Sequence, residues 1–383
     1  MKNVGIICEY NPLHGGHKYQ MSRLREMGAE RIVCLMSGNA VQRGDLAIMP
    51  KNLRARSAIE AGADAVFELP FPYSAGSAEF FATAGVDILA RLGVDTIAFG
   101  SESGDIVVLR ELSLKAVEYK PSEDKSIGTA SDYFSALGDL KSNDILGIEY
   151  LNAGRKYAPD MDFVTVKREG AGYHEDAKSG AFPSATEIRR AIVGGGIEAY
   201  DDAQLPSESK DKIIGAVKNG EIALMKNVER AILLFWRGCD PSAVGESAEC
   251  GGGVAERLAA SAKEARSLEE MLEIAATKRY TDSRLRRALI FGMLGVTLDD
   301  LKRPAEYVEL LAANGKGIEF VSAAGGIEIV SKPSKVPETE AGARQFELSR
   351  RLDAIYTLAM GSPRESGYFL KQSPQIVKND NKF

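Results

Sequence analysis

The chain has 383 residues, a formal net charge of −6, and 44% hydrophobic against 27% charged residues. That is the profile of a soluble globular protein of about two or three domains. The acidic balance argues against a general nucleic-acid coat and no DNA partner is expected, although one face can still be basic. No apolar run reaches the roughly 18–20 residues that span a bilayer, so no membrane partner is expected. Met1-Lys2-Asn3 runs straight into a strand pattern, without a basic segment or cleavage site. Cys8, Cys34, Cys239 and Cys250 lack metal-type spacing. A reducing, cytoplasmic setting and no protein-held metal follow as expectations.

In chain order, Val4–Cys8 predicts a strand, followed by a turn at Asn11-Pro12 and a helix over about 17–27 that ends at Gly28. Arg31–Met36 is a second strand, then a helix over about 50–61. Ala65–Leu69 is a third strand, then a helix over 77–91 stopped by Gly93. Asp95–Phe99 is a fourth strand, followed by helices over about 105–118 and 144–153 and a strand at Phe163–Val166. Ser184-Ala-Thr-Glu187 opens a further helix with a capping box. Short apolar strands alternating with helices predict a parallel sheet covered on both faces, with ligands at the carboxyl ends of the strands. Near residue 196 the pattern changes. Helices are expected over about 221–237, 253–264, 267–277 and 282–294, then a small α+β end with strands Gly317–Val321 and Ile327–Val330 and a helix over 345–360.

Between the first strand and its helix lies His14-Gly15-Gly16-His17. Two histidines three apart suit a metal, plain packing or a phosphate. Paired glycines and a helix N-terminus favour the phosphate, with imidazole N–H groups facing a transferring α-phosphate and leaving pyrophosphate. Neither G-x-x-x-x-G-K-[ST] nor G-x-G-x-x-G occurs. Gly100, at the end of the fourth strand, is either a plain turn or a place where a nucleoside meets backbone. Ser184–Arg189 reads as a β/γ-phosphate clamp carrying Arg189, or as an ordinary capped helix. Asn143 is a nucleotide contact or an N-cap, Arg168 lies on the sheet rim, and His174 sits in a loop. The loop 36–45, with Asn39, Gln42 and Arg43 and then Lys51 and Arg54, suits a small carboxylate or is simply surface. Lys278–Arg287 holds five cations, Lys278, Arg279, Arg284, Arg286 and Arg287, against one acid. It is an RNA-backbone patch or a solvated helix face.

The blocks E-Y-N-P-L-H-G-G-H (9–17), M-S-G-N-A-V-Q-R-G (36–44), E-L-P (68–70), F-G-S-E (99–102), N-D-I-L-G-I-E-Y (143–150), G-A-G-Y-H (170–174), S-A-T-E-I-R (184–189) and K-R-Y-T (278–281) together resemble the bacterial tRNA(Met) cytidine acetate ligase family of H-x-G-H nucleotidyltransferases. Leu13 replaces the commoner phenylalanine, and Gly15 the commoner asparagine. The resemblance implies a Rossmann-like α/β domain (1–195) that binds ATP and acetate, then a mainly helical domain (196–383) that binds tRNA and ends in a small α+β piece. It implies acetyl-adenylate formation and acetyl transfer to the wobble cytidine of elongator tRNA(Met), giving N4-acetylcytidine. The ATP contacts it implies are Ile7, Cys8, Glu9, Tyr10, Asn11, Pro12, Leu13, His14, Gly15, Gly16, His17, Lys18, Tyr19, Gln20, Gly100, Asn143 and Arg168. Arg189 is added from the capped helix, and Mg²⁺ is expected with the phosphates. The alternatives are an adenylyltransferase acting on a small phosphorylated metabolite and a non-enzymatic ATP-binding RNA adaptor.

Overall fold

The computed structural model describes residues 1–118, 140–168, 182–277 and 279–378. Strands β1 (Asn3–Cys8), β2 (Arg31–Ser37), β5 (Ala65–Leu69), β6 (Thr96–Ser101) and β7 (Asp162–Lys167) lie side by side, all parallel, in the order β5–β2–β1–β6–β7. A short hairpin, β3 (Ala40–Val41) and β4 (Asp45–Leu46), follows β2. Both faces of the sheet are covered, so apolar residues run unbroken along each strand. In β2, Val33 and Leu35 face one core while Ile32, Cys34 and Met36 face the other. The chain builds outward from β1 through β2 to β5, then crosses back to place β6 on the other side of β1. A crevice opens at that reversal, beyond the carboxyl ends of β1 and β6.

The helices α1 (Gly15–Glu26), α2 (Lys51–Glu60), α3 (Ala78–Leu92), α4 (Ile106–Glu118) and α5 (Ser142–Tyr157) cover the sheet, while α6 (Ala185–Gly194) packs through Ile188 and Ile192 against Ile48 and Met49 in a separate cluster. Helix α1 starts two residues before its expected position because the His14 side chain caps it. Helix α5 packs close to the sheet through two glycines. A Cβ on Gly147 or Gly154 would lie 2.4 Å from the ring of Phe99 or Phe163. The second half contributes α7 (Ser207–Lys218), whose Ile213 and Ala216 join the separate cluster of Ile48 and Met49, and α8 (Glu229–Gly238), α9 (Val254–Glu264), α10 (Leu268–Ala275) and α11 (Asp282–Leu294), gathered around the fully buried Trp236.

The C-terminal part differs from expectation. The strand expected at 317–321 is a helix, α12 (Gly315–Ala323), because the Asn314 side chain accepts the Gly317 N–H at 3.0 Å and caps it. The strand is instead Tyr307–Ala313 (β8). It is buried at every position and antiparallel to β5, and it also carries β9 (Glu328–Val330) and β10 (Gln375–Ile376). The sheet is therefore mixed, mostly parallel, and a boundary at 195/196 does not separate it from the C-terminal strands. Buried charge ties this join. Lys51 Nζ lies 2.6 Å from Glu68, 3.3 Å from Asp353 and 3.6 Å from Glu309, and Arg350 pairs with Glu309 and Asp353. Asp353 is carried by the long helix α13 (Glu340–Ala359).

Candidate active site

The loop from β1 to α1 is pinned from several sides. Arg54, with no exposed surface, donates to the carbonyls of Glu9 at 2.6 Å, Met49 at 2.9 Å and Ser37 at 3.1 Å, and also to that of Gly38. It thus ties the carboxyl ends of β1 and β2 together. Asn11 Oδ1 accepts the Ile48 N–H at 2.8 Å, and Glu9 Oε1 accepts the Gln42 N–H at 2.9 Å. Tyr10 holds a left-handed φ of 44° with its ring buried, an uncommon and costly state for a bulky residue. Gly15 donates to the Gln204 carbonyl at 2.9 Å, and a Cβ there would lie 1.8 Å from the Ala203 carbonyl oxygen. This close approach explains why glycine stands at position 15.

His14 and His17 form a capping box of imidazoles. His14 Nδ1 accepts the Gly16 N–H at 3.1 Å, and His17 Nδ1 accepts the His14 N–H at 3.2 Å. The rings stack with centroids 3.8 Å apart. Burial, then the Arg168 charge, pushes the His14 pKa down to about 4. Burial, then His14 and Arg168, lowers His17 well below its usual value. Both rings are thus neutral near pH 7. With each Nδ1 accepting, the single ring proton sits on each Nε2. The two rings therefore line the cleft as uncharged N–H donors.

That cleft, about 170 Å³, is bordered by His14, Gly16, His17, Tyr19, Gln20, Gly100, Lys167, Arg168, Phe182, Ser184 and Glu187. A Cβ on Gly100 would lie 3.3 Å from the stem of Arg168, so the arginine lies across the bare backbone of β6. The Asn143 side chain donates to Glu102 Oε1, and Arg168 Nε lies 3.9 Å from the same oxygen. Glu102 belongs to the F-G-S-E block (99–102), but the sequence assigns it no role, since a lone glutamate after a strand carries no spacing signal.

Within the stretch Ile7–Gln20, the side chains at the cleft are those of His14, His17, Tyr19 and Gln20. Ile7 packs into the core against Gly85. Cys8, Tyr10 and Leu13 belong to the other core, and Pro12 is buried. Lys18 pairs with Glu208 at 2.7 Å. Arg189, expected on a phosphate, donates to the Asn11 carbonyl at 2.8 Å and to Thr186 Oγ1 at 3.0 Å. In the Ser184 box, Ser184 and Glu187 satisfy each other's N–H groups, so neither N–H faces a phosphate. Lys51 and Arg54 are buried and fully engaged, which leaves Arg43 as the exposed cation of the loop 36–45. His174 lies outside the described residues.

Around Arg279–Arg287, Arg279 is exposed, and Arg279 and Arg284 each sit 5.4 Å over the Tyr280 ring. Arg286 pairs with Asp282 at 2.7 Å. Arg287, expected to contact RNA, is 8% exposed and holds Glu249 at 2.8 Å, with Arg284 also 3.5 Å from that carboxylate. Its charge is withdrawn from the surface. Lys278 lies outside the described residues. A Cβ on Gly44 would lie 2.3 Å from the Arg287 nitrogen, so the β3–β4 hairpin seats directly on α11.

Among known proteins, the HIGH Nucleotidyl Transferase family matches residues 1–368. The tRNA(Met) cytidine acetate ligase of Acetivibrio thermocellus is 33% identical over 368 residues, covering 88% of this chain and 87% of its own. That of Listeria monocytogenes serovar 1/2a is 34% identical over 385 residues, covering 94% and 95%. The crystal structure of Thermotoga maritima TmcAL bound with alpha-thio ATP matches with a TM-score of 0.84 at 26% identity, across 99% of this chain and 100% of that one. A histidine-capped helix after β1 is thus embedded in a chain alike over nearly its whole length to these relatives, and the protein belongs to the tRNA(Met) cytidine acetate ligase family of HIGH nucleotidyl transferases.

Proposed function

We propose that the protein is an ATP-dependent ligase that forms acetyl-adenylate from acetate and ATP and then acetylates the wobble cytidine of elongator tRNA(Met). The observation that carries this reading is the His14–His17 cap, which presents two neutral Nε2–H donors to one cleft beside Arg168. Acetate is a weak nucleophile, so catalysis consists of alignment and of stabilising the leaving group. An acetate oxygen attacks the α-phosphorus, the bond to the bridging oxygen breaks, and pyrophosphate departs with the electron pair. The imidazole N–H groups and the Arg168 guanidinium meet the charge that grows there. The cytidine N4 amine then attacks the acetyl carbonyl, AMP leaves, and the amine loses a proton.

Among the described residues no cluster of three or more His, Cys, Asp or Glu could hold a metal. A Mg²⁺ arriving with ATP would be carried by phosphate oxygens and water, where it screens phosphate charge. Residues 1–195 supply the nucleotide site in this reading, and the second half supplies the tRNA surface, with Arg279, Arg284 and Arg286 as backbone contacts. The β3–β4 hairpin supports that division of labour, because it touches α11 at Gly44 and the catalytic loop through Gln42 and Glu9. No helix among the described residues is long and apolar enough to cross a membrane, and a cytoplasmic setting supplies both ATP and tRNA.

The test is ATP–pyrophosphate exchange across a panel of small carboxylates, followed by transfer of labelled acetyl to tRNA. Acetate-dependent exchange and a labelled cytidine are expected. Exchange driven only by a phosphorylated metabolite, with no label in any tRNA, would favour the adenylyltransferase instead. Function retained after His14→Ala with His17→Ala would favour the adaptor.

A further inference from the structure

We infer that Glu102 is a positioning residue for the nucleotide, holding Asn143 and Arg168 at one edge of the cleft. The inference rests on the ATP site argued above and extends it to a residue that touches neither histidine. Glu102 sits on the turn after β6, and its Oε1 is shared. It accepts from the Asn143 side-chain amide and faces Arg168 Nε at 3.9 Å. Its other oxygen accepts the Asp144 N–H at 3.2 Å. In return, Asp144 Oδ1 accepts the Glu102 N–H at 3.1 Å and the Ser101 hydroxyl, and Asp144 Oδ2 accepts the Ser103 N–H at 3.2 Å. The turn and the first turn of α5 therefore grip each other, and Glu102 stands where that grip meets the cleft.

Two features distinguish this from plain helix capping. Asn143 is oriented through its side chain, with a charge-assisted bond that fixes which way its amide faces. Arg168 is half exposed and lies against Gly100, so without an acceptor on that side its guanidinium is free to swing across the cleft. A carboxylate that orients both groups before ATP arrives removes part of the ordering cost of binding.

The experiment measures the Kd of α,β-methylene ATP by calorimetry on the full chain, for wild type, Glu102→Gln, Glu102→Asp, Asn143→Ala and Glu102→Gln with Asn143→Ala. Acetate-dependent exchange is followed in parallel. Glu102→Gln keeps the acceptor for the Asp144 N–H and so preserves the cap. It is expected to weaken nucleotide binding about tenfold, the loss of one charge-assisted bond, while the melting temperature and the KM for acetate stay unchanged. Glu102→Asp, with its charge retained on a shorter arm, should fall between the two. In the Asn143→Ala background the added loss should shrink to about twofold, since the two residues act as one unit. Unchanged affinity in Glu102→Gln, or full additivity with Asn143→Ala, overturns the inference. The nucleotide Kd tests it even if acetate drives no exchange in wild type, an outcome that would count against the proposed function instead.

Discussion

His14 and His17 stack 3.8 Å apart, and each uses its Nδ1 to accept a backbone N–H of the turn that joins them. A capping box is ordinarily built from a hydroxyl and a carboxylate. Built from two imidazoles, it sets helix start, ring tautomer and ring orientation in one arrangement. The side chains proposed to meet the phosphate are thus also those that begin the helix beneath it.

These two roles can be separated by substitution. Asparagine at position 14 can still accept the Gly16 N–H but has no Nε2–H. His14→Asn is therefore expected to keep the melting temperature close to wild type while acetate-dependent exchange falls about 10²–10³-fold, the range for losing one transition-state donor. A collapse in stability parallel to activity would show that the ring is chiefly structural.

The depressed His14 pKa predicts a pH signature. The unfolded ring has a pKa of 6.5 and the folded ring about 4. Its contribution to stability is therefore fully present above pH 6.5 and lost as pH falls toward 4, about 2 kcal/mol between pH 7 and pH 5. Glu68 acts with the opposite sign. Burial, opposed by Lys51, raises its carboxyl from 4.5 to about 7, so its contribution is present below 4.5 and lost as pH rises through 7. The histidine effect is accordingly read as a difference. Denaturant midpoints of wild type and His14→Asn should coincide near pH 7 and separate toward pH 5, where wild type becomes the less stable of the two.

Arg54 predicts a large structural cost. Its guanidinium is buried and satisfies four carbonyls, three of them at the ends of β1 and β2 and the fourth, that of Met49, just before α2. Arg54→Ala would leave those acceptors buried without donors, at about 1–3 kcal/mol for each group that finds no water. We expect a loss of at least about 3 kcal/mol in urea unfolding, and Arg54→Lys should recover only part of it.

The join between β5 and β8 depends on the charge balance around Lys51. Lys51→Met would face Glu68, Glu309 and Asp353 with Arg350 as the one remaining cation of this cluster. A loss of about 3–5 kcal/mol is expected, as for a buried pair stripped of one partner. Hydrogen exchange should then rise first in Tyr307–Ala313.

The basic segment divides by burial. Arg279→Ala with Arg286→Ala should weaken tRNA binding and lower the salt slope by about one to two, with acetate-dependent exchange preserved. Arg287→Ala, which removes the nearer partner of the Glu249 carboxylate and leaves only Arg284 at 3.5 Å, should instead lower the melting temperature. Equal loss of both activities in the double variant would place those arginines in the structure rather than on a tRNA surface.

Local signals carried far in this chain. Strand β5 is found at the predicted Ala65–Leu69, Gly93 ends α3 with φ 87°, and the Ser184 box closes as its spacing requires. Each rests on neighbours within about four residues, which a sequence displays directly. The same holds for His14-Gly-Gly-His17, whose spacing is the spacing of a helix cap. Arg189 and Arg287 show where such reasoning stops. A cation one turn into a capped helix, or within a basic run, looks available until the Asn11 carbonyl and Glu249 are found against them.

By itself, then, the sequence determined the alternation of strands and helices, the phosphate-type turn after β1 and, through its ordered blocks, the family. Only the tertiary structure decided that β8 closes the edge of β5, that Lys51 is held by a carboxylate 302 residues away, and that Glu102 gathers Asn143 and Arg168. The reason is physical. Periodicity and caps are properties of adjacent residues, whereas strand partnership and the neutralising of buried charge depend on which distant segments the folded chain brings into contact.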